Sequence, residues 1–112
     1  MKTETERRKT PRHLCSDFVQ ISWMDDTQQP ISSLGLLEDV SPEGLCSSLE
    51  LPVPAGSAVH VHTKGFEGEA WVRYCELGDY GYLVGLEFAG GCTWERDKWR
   101  PKHLYGPVAE EP

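Results

Sequence analysis

The sequence predicts an all-β fold, either an antiparallel barrel or a sandwich. Six short runs rich in β-branched and aromatic residues lie between residues 14 and 88, separated by segments rich in Gly, Pro and Asp. Most of these connections are short, so successive strands are expected to pair as antiparallel neighbours. The chain of 112 residues suits one domain, since single domains commonly run about 100–150 residues.

The first two strands are predicted from alternating apolar and polar residues. The run FVQISW at 18–23 belongs to a strand that starts near Leu14. A polar loop over 25–30 precedes a second strand from Ile31 to Asp39. Gly35 is predicted to mark a β-bulge, because glycine inside a strand often does so.

A tight turn is predicted between the second and third strands. Ser41, Pro42 and Gly44 occupy the first, second and fourth positions of a four-residue segment, as a type I turn prefers. The third strand then runs from Leu45 to Leu51, and the Pro- and Gly-containing segment 52–56 forms a loop.

Three further strands and a short helix complete the predicted fold. Alternation predicts strands over 57–62, 65–74 and 80–88. Thr93 is expected to cap a helix over 94–99. This helix is too short to be stable alone, so its two tryptophans are expected to pack on the β domain.

An arm and a tail flank this domain. Residues 1–13 are polar, and Pro11 opposes a helix there, so the segment is predicted to be a flexible arm. Residues 14–105 are predicted to form the β domain, and residues 106–112 to be disordered.

The charge is distributed unevenly. The formal net charge is −7, but the first thirteen residues carry +3 and the rest of the chain therefore −10. An acidic body opposes binding to polymeric nucleic acid, whereas a short basic arm can bind one compact anion. The basic residues of the arm are Lys2, Arg7, Arg8, Lys9 and Arg12.

The sequence also predicts the cellular setting. No window approaches the roughly 18 consecutive apolar residues of a membrane span, and the first residues lack the apolar core of a signal peptide. The four cysteines lie far apart with no Cys-x-x-Cys pair, which opposes a zinc knuckle and a disulfide framework. We therefore expect a cytoplasmic protein without membrane contact, whose cysteines are reduced and mostly buried.

Two local motifs stand out, RRKTPR at 7–12 before the first strand and DVSPEG at 39–44 at the predicted turn. Together they resemble the motifs of the PilZ domain family, Arg-x-x-x-Arg and Asp/Asn-x-Ser-x-x-Gly. The likeness extends to GEAWVR at 68–73 and to YLVGLEF at 82–88, which is similar to the closing strand of that family. The resemblance thus covers Arg7 to Phe88, with the motifs in the family's order.

This resemblance implies a fold, a ligand and a mode of action. A PilZ domain is a six-stranded antiparallel β-barrel that binds cyclic diguanylate (cyclic di-GMP), often as an intercalated dimer, with the arm folding over the ligand. The chain is accordingly expected to be a receptor that signals through a downstream protein, not an enzyme, with no cofactor besides this ligand. The alternative is a PilZ-like protein-interaction module that does not bind nucleotide.

The resemblance also selects ligand-binding residues in the arm. Arg8 and Arg12 match the motif arginines, and Arg7 is an auxiliary residue. Guanidinium groups pair with phosphate, fork onto guanine O6 and N7, and stack on bases. Residues four apart in an extended segment point the same way about 13 Å from each other, so this pair suits a broad, flat ligand.

The turn and the fifth strand supply the other predicted contacts. An ionised Asp39 accepts hydrogen bonds only, so it complements the guanine edge that carries the N1–H and N2 donors. Ser41 suits a phosphate or a base, and Gly44 leaves room for the backbone to approach the ligand. Arg73 lies near the family's position for a further ligand-stacking side chain.

Two other kinds of site have weaker support. His60 and His62 share a strand face, as two ligands of a metal site do, but no third ligand is near in sequence and the intervening valines need the core side. Cys46, with His13 as base, would suit a thiol enzyme. Buried cysteine is the ordinary case, so neither a metal nor catalysis is expected.

Overall fold

Six β-strands follow one another along the chain in the computed structural model, which describes residues 12–79, 81–95, 99 and 101. They are β1 (His13–Met24), β2 (Pro30–Ser41), β3 (Gly44–Leu49), β4 (Ala58–Thr63), β5 (Phe66–Gly78) and β6 (Gly81–Phe88).

The strands close into a barrel. Each strand pairs antiparallel with both neighbours in the order β1-β2-β3-β6-β5-β4, and β4 returns to β1. The β1–β4 contact has only three register pairs, centred on Ile21 and Val61, whereas each of the other contacts has at least six. The predicted all-β class is confirmed, and its form is a barrel.

Alternation along each strand places one face in the barrel core. In β1, Val19, Ile21 and Trp23 are buried, whereas Phe18 and Gln20 face outward. This follows from the period of two along a strand, which sends successive side chains to opposite faces. The other strands contribute further buried residues, among them Leu37, Val40, Leu45, Leu49, Val59, Val61, Ala70, Val72, Val84, Leu86 and Phe88.

Gly35 does not mark a bulge, so that prediction is wrong. It pairs with Val19 on β1 and with Leu49 on β3 in uninterrupted stretches of both ladders. A Cβ atom at this position would collide with the Leu49 side chain and the Ser48 carbonyl. Glycine is needed here because a neighbouring strand approaches closely.

The register shifts of the barrel occur at other positions. The β1–β2 ladder shifts between Leu14 and Asp17, the β2–β3 ladder between Leu37 and Asp39, and the β5–β6 ladder between Val72 and Tyr74. A shift of this kind adds one residue to one strand and re-aims the side chains beside it. The shifts therefore change which side chains face outward near the ends of these strands.

The segment after β6 does not form the predicted helix in the residues described there. Trp94 and Glu95 are irregular, and residues 96–98 lie outside the described part of the chain. The Thr93 hydroxyl donates to the Pro42 carbonyl at 2.8 Å, and the Trp94 amide donates to the same carbonyl at 3.3 Å. These bonds tie the segment to the turn between β2 and β3.

Two tryptophans fix this segment on the barrel. Trp94 and Trp99 are both buried in the core cluster, and the Trp94 Nε1–H donates to the Trp99 carbonyl at 2.9 Å. Phe66 stacks on Trp99 with ring centroids 5.4 Å apart. The predicted packing role of both residues is confirmed.

The four cysteines are free thiols, as predicted. Cys15 and Cys46 are buried, and Cys75 and Cys92 are half-buried. Burial, with smaller contributions from nearby carboxylates, raises the pKa of the Cys15 thiol to about 12. At neutral pH this thiol is protonated and behaves as a small apolar side chain.

The predicted tail at 106–112 and all of the predicted arm before Arg12 lie outside the described residues. In the part of the chain that the structure describes, no helix has the length and apolar character needed to cross a bilayer.

Candidate functional site

A row of paired residues crosses four strands on the outer surface of the barrel. Asp39 on β2 pairs with Cys46 on β3, Cys46 with Gly85 on β6, and Gly85 with Tyr74 on β5. The register shifts in β2 and β5 both end at members of this row. The row therefore forms where the regular alternation of the strands is broken.

A cavity of about 840 Å³ opens over this row. That volume falls in the range of about 300–1,000 Å³ that is typical of small-molecule sites. The cavity is lined by Arg12, Asp39, Ser41, Glu43, Gly44, Leu45, Cys46, Arg73, Tyr74, Glu76, Leu83, Leu86 and Glu87.

Five of the seven residues predicted to bind ligand line this one cavity. They come from the residue before β1, from the end of β2, from the start of β3 and from β5, and they are Arg12, Asp39, Ser41, Gly44 and Arg73. The other two, Arg7 and Arg8, lie outside the described residues. The fold thus brings together predicted residues that are as much as 61 positions apart in sequence.

Arg12 and Asp39 form an ion pair in the lining of the cavity. The Arg12 Nη1 lies 3.6 Å from the Asp39 Oδ2, and the side chain of Asp39 is only 12% exposed. A carboxylate this well covered needs charged or hydrogen-bonding partners. Arg12, the only motif arginine that the structure describes, thus lies beside Asp39 of the second motif.

The β2–β3 turn is closed by its own side chain and by β6. The Ser41 Oγ donates to the Gly44 carbonyl at 3.4 Å and accepts from the Glu43 amide at 3.3 Å. A Cβ atom at Gly44 would collide with the Leu86 carbonyl of β6. Glycine is thus needed at this position for the packing of β3 on β6, whether or not a ligand approaches.

Arg73 lies at the register shift of β5 and forms an ion pair at the cavity rim. Its Nη1 lies 2.6 Å from the Glu87 Oε1, and both side chains are more than half exposed. Exposed pairs of this kind contribute about 0–1 kcal/mol, so a ligand anion can compete for this guanidinium.

Sequence reasoning missed Tyr74 and the three glutamates of the lining, Glu43, Glu76 and Glu87. The Tyr74 hydroxyl lies 3.5 Å from the Cys46 Sγ, across the position of Gly85. Strict alternation from Val72 puts Tyr74 on the core side, so only knowledge of the register shift at Arg73 would have placed it in the cavity.

The Cys46–Tyr74 pair is uncharged at neutral pH. Burial is the main cause that raises the pKa of the Cys46 thiol, and the Asp39 carboxylate adds to the effect. The pKa of Tyr74 is raised by burial and by its contact with Cys46. A nucleophilic cysteine needs a lowered pKa, so this environment opposes a thiol role for Cys46.

The described lining carries more negative than positive charge. Two arginines, Arg12 and Arg73, face a larger set of carboxylates, namely Asp39, Glu43, Glu76 and Glu87. A polyanionic ligand would therefore need further positive charge beyond the residues described here.

His60 lies on β4, outside the cavity lining, between two carboxylates. Its Nδ1 lies 2.6 Å from the Glu69 Oε2, and its Nε2 lies 2.7 Å from the Glu67 Oε2. Each carboxylate contacts a different ring nitrogen. The two carboxylates and one of these nitrogens therefore cannot all bind the same metal ion. Within the described ranges, no group of three or more acidic, His or Cys residues is arranged to hold a metal.

Comparison with protein-family models, with curated proteins and with solved structures found no match to this chain.

Proposed function

We propose that this protein is a cytoplasmic receptor for cyclic di-GMP, which changes conformation on binding and signals through a partner protein. One observation carries the proposal: both motifs that resemble the PilZ family contribute residues to the same cavity. Arg12 belongs to the arginine motif, whereas Asp39, Ser41 and Gly44 belong to the turn motif. A cavity over a rigid barrel, with a few convergent polar groups, is the usual form of a small-molecule site.

The chemistry of the lining suits a guanine dinucleotide. Arg12 and Arg73 provide planar donors for phosphate oxygens and for the O6 and N7 acceptors of guanine. Asp39 can accept from the guanine N1–H and N2 groups when Arg12 turns from it toward the ligand. Ser41 lines the same cavity, and its hydroxyl can bond to a phosphate or a base.

The acidic lining makes the arm essential to this proposal. Cyclic di-GMP carries two phosphodiester anions, and the two described arginines are outnumbered by carboxylates. Arg7 and Arg8, together with Lys2 and Lys9, supply the missing positive charge. Charge-assisted bonds to phosphate would then order the arm over the ligand.

The test is a calorimetric titration of the full chain with cyclic di-GMP, with cyclic di-AMP as the matched control ligand. Saturable binding of the guanine ligand, with a raised Tm in its presence, supports the proposal. If saturating cyclic di-GMP gives neither heat nor a shift in Tm, the receptor function is wrong.

The alternative function is a protein-interaction module that ignores nucleotide. It is favoured by the outer surface of β1 and β2, where Phe18 pairs with Leu36 and Leu34 lies two residues along. Phe18 is 66% exposed and Leu34 is 57% exposed. The same titration separates the two functions, since such a module binds neither dinucleotide.

A further inference from the structure

β5 is longer than the strand that pairs with one of its edges. β4 pairs with β5 only over 66–71, whereas β6 pairs with β5 as far as Gly78. The last backbone bonds on the β4 side join Val72 to Gly56 and Ser57, at 2.7 and 2.9 Å. Within the part of the chain that the structure describes, no strand pairs with this edge of β5 beyond Val72.

Two prolines explain why the pairing ends there. The chain before β4 contains Pro52 and Pro54, which have no backbone N–H to donate to β5. The Pro54 carbonyl accepts from the Ser57 amide at 3.1 Å and from the Ser57 Oγ at 2.6 Å, so the chain turns at this point. The edge of β5 beyond Val72 is therefore left open.

The open edge carries backbone groups that β6 does not use. Gly78 and Gly81 close the β5–β6 hairpin across two residues, and the residues of such a closing pair bond to each other. Bonding alternates along an antiparallel strand, so Glu76 also bonds to β6, whereas Cys75 and Leu77 direct their N–H and C=O groups to the opposite side. These groups have no hydrogen-bond partner among the described residues.

The same stretch exposes an apolar side chain on the core face of the sheet. Cys75 pairs with the buried Val84, and Leu77 pairs with Tyr82 two residues along, so Cys75 and Leu77 share the core face. Leu77 is nevertheless 79% exposed, because no strand continues the barrel wall beside it. Glu76 points to the outer face, where it lines the cavity.

We propose that this open edge, Cys75–Leu77 of β5, binds an extended segment of another protein by strand addition. In this mode of binding, backbone hydrogen bonds give affinity and alternate side chains give specificity. The segment that fits has apolar side chains beside Cys75 and Leu77 and a Lys or Arg opposite Glu76. The inference goes beyond the proposed function, since backbone pairing at this edge requires no nucleotide.

Charge favours such a partner over a second copy of this chain. The register that uses all the free groups of two copies pairs Cys75 of each with Leu77 of the other. It sets the two Glu76 carboxylates directly opposite each other, and like charges in that position are destabilising. A basic residue there is attracted instead, and the net charge of −10 outside the first thirteen residues adds to the attraction.

The first test is a titration of the full chain with the peptide acetyl-TVKVT-amide, without nucleotide, followed by backbone-amide NMR. The Cys75 and Leu77 amide signals should shift in a saturable manner and their hydrogen exchange should slow. Two control peptides separate the contributions. Acetyl-TVEVT-amide should bind more weakly, and TVKVT methylated on both valine nitrogens should not bind, because it cannot donate to the edge.

The second test uses variants of the edge. Leu77→Ser should weaken binding of acetyl-TVKVT-amide about tenfold, because a leucine side chain is no longer buried by the peptide. Leu34→Ser is the matched control, since it removes a leucine that is 57% exposed on β2, outside this edge. Glu76→Lys should reverse the preference, so that acetyl-TVEVT-amide binds better than acetyl-TVKVT-amide. This reversal does not depend on how Leu77→Ser folds.

Four outcomes would overturn the proposal. They are the absence of saturable peptide binding, equal binding of the methylated peptide, a dimer in analytical ultracentrifugation that Leu77→Ser dissociates, and slow exchange of the Cys75 and Leu77 amides in the free monomer. The dimer would assign the edge to a second copy, and slow exchange would assign it to another segment of this chain. The receptor function is tested separately with cyclic di-GMP and stands or falls without this result.

Discussion

Asp39 is the residue expected to distinguish guanine from adenine. Guanine offers the carboxylate two donors, N1–H and the N2 amino group. Adenine lacks the N2 amino group, and its N1 is a hydrogen-bond acceptor that would face the acceptor oxygens of Asp39. Sites built on hydrogen bonds reject such analogues strongly. Asp39→Ala should weaken cyclic di-GMP binding and narrow its preference over cyclic di-AMP, as measured by paired titrations.

Glu76→Ala is the control for that experiment, since it removes the same charge from the same cavity. It should leave the ratio of the two affinities unchanged. Equal affinity of the wild-type protein for both dinucleotides would show that the site binds anions without recognising the base.

Gly44 gives a prediction about stability that needs no ligand. A methyl group there would meet the Leu86 carbonyl, and overpacking of this kind costs about 1–3 kcal/mol. Gly44→Ala should lower the free energy of unfolding by this amount in urea titrations. Gly90→Ala is the control, because nothing lies within 4 Å of a Cβ at that position. Equal loss in both variants would contradict the close-approach explanation.

At the residue scale, the resemblance to a family motif selected Asp39, Ser41 and Gly44 as candidate ligand contacts. The structure places all three on one cavity. Tyr74 was missed because it becomes visible only when one extra residue in β5 is known. Alternation predicts which face a side chain takes only while the register is continuous.

At the scale of elements, the β4–β5 hairpin has a built-in pH dependence. Hydrogen bonds that the His60 ring donates to the Glu69 and Glu67 carboxylates raise the pKa of His60 above its ordinary value of 6.5. The folded protein therefore binds a proton more tightly than the unfolded chain does. The resulting stabilisation is fully present below about pH 6.5 and is lost as the pH rises through the raised pKa.

The measurement is the free energy of unfolding across that pH range. In the wild type, the free energy of unfolding should decrease as the pH rises from the pKa of His60 in the unfolded chain to its pKa in the folded protein. His60→Gln should make this dependence on pH weaker. The effect is small, because the three side chains are well exposed to solvent. His62→Gln, on the same strand, is the control and should keep the wild-type slope; an unchanged slope in His60→Gln would contradict the assignment.

The strands were predictable from the sequence because alternation and turn residues agree for each of them. The role of Thr93 was not, because its hydroxyl can cap a helix or bond to another carbonyl, and the structure shows it bonded to Pro42. Gly35 was misassigned for a similar reason: glycine in a strand marks either a bulge or a close approach, and only the neighbouring strand decides which.

At the scale of the whole molecule, the opposite charges of arm and body lead to a prediction about binding. Deletion of residues 1–11 should abolish measurable cyclic di-GMP binding, because the remaining lining is net negative. Arg8→Ala alone should weaken binding about tenfold or more, since a bond to a charged group contributes about 1.5–3 kcal/mol. Calorimetry measures both effects.

Lys64→Ala is the control for the arm variants, because it removes one positive charge outside the cavity lining. The free energy of unfolding without ligand should be unchanged in all of these variants. If Lys64→Ala weakened binding as much as Arg8→Ala, diffuse electrostatic attraction would explain the affinity and the arm would have no specific role.

The short β1–β4 contact also determines where the closed barrel opens first. Only three register pairs join these strands, so this junction is a seam held by few backbone hydrogen bonds. Native proteins open locally where the fewest bonds must break. Amide protons bonded across the seam should therefore exchange with solvent sooner than those between β3 and β6, and native-state hydrogen exchange measures the difference. Equal protection would mean that the barrel opens only as a whole.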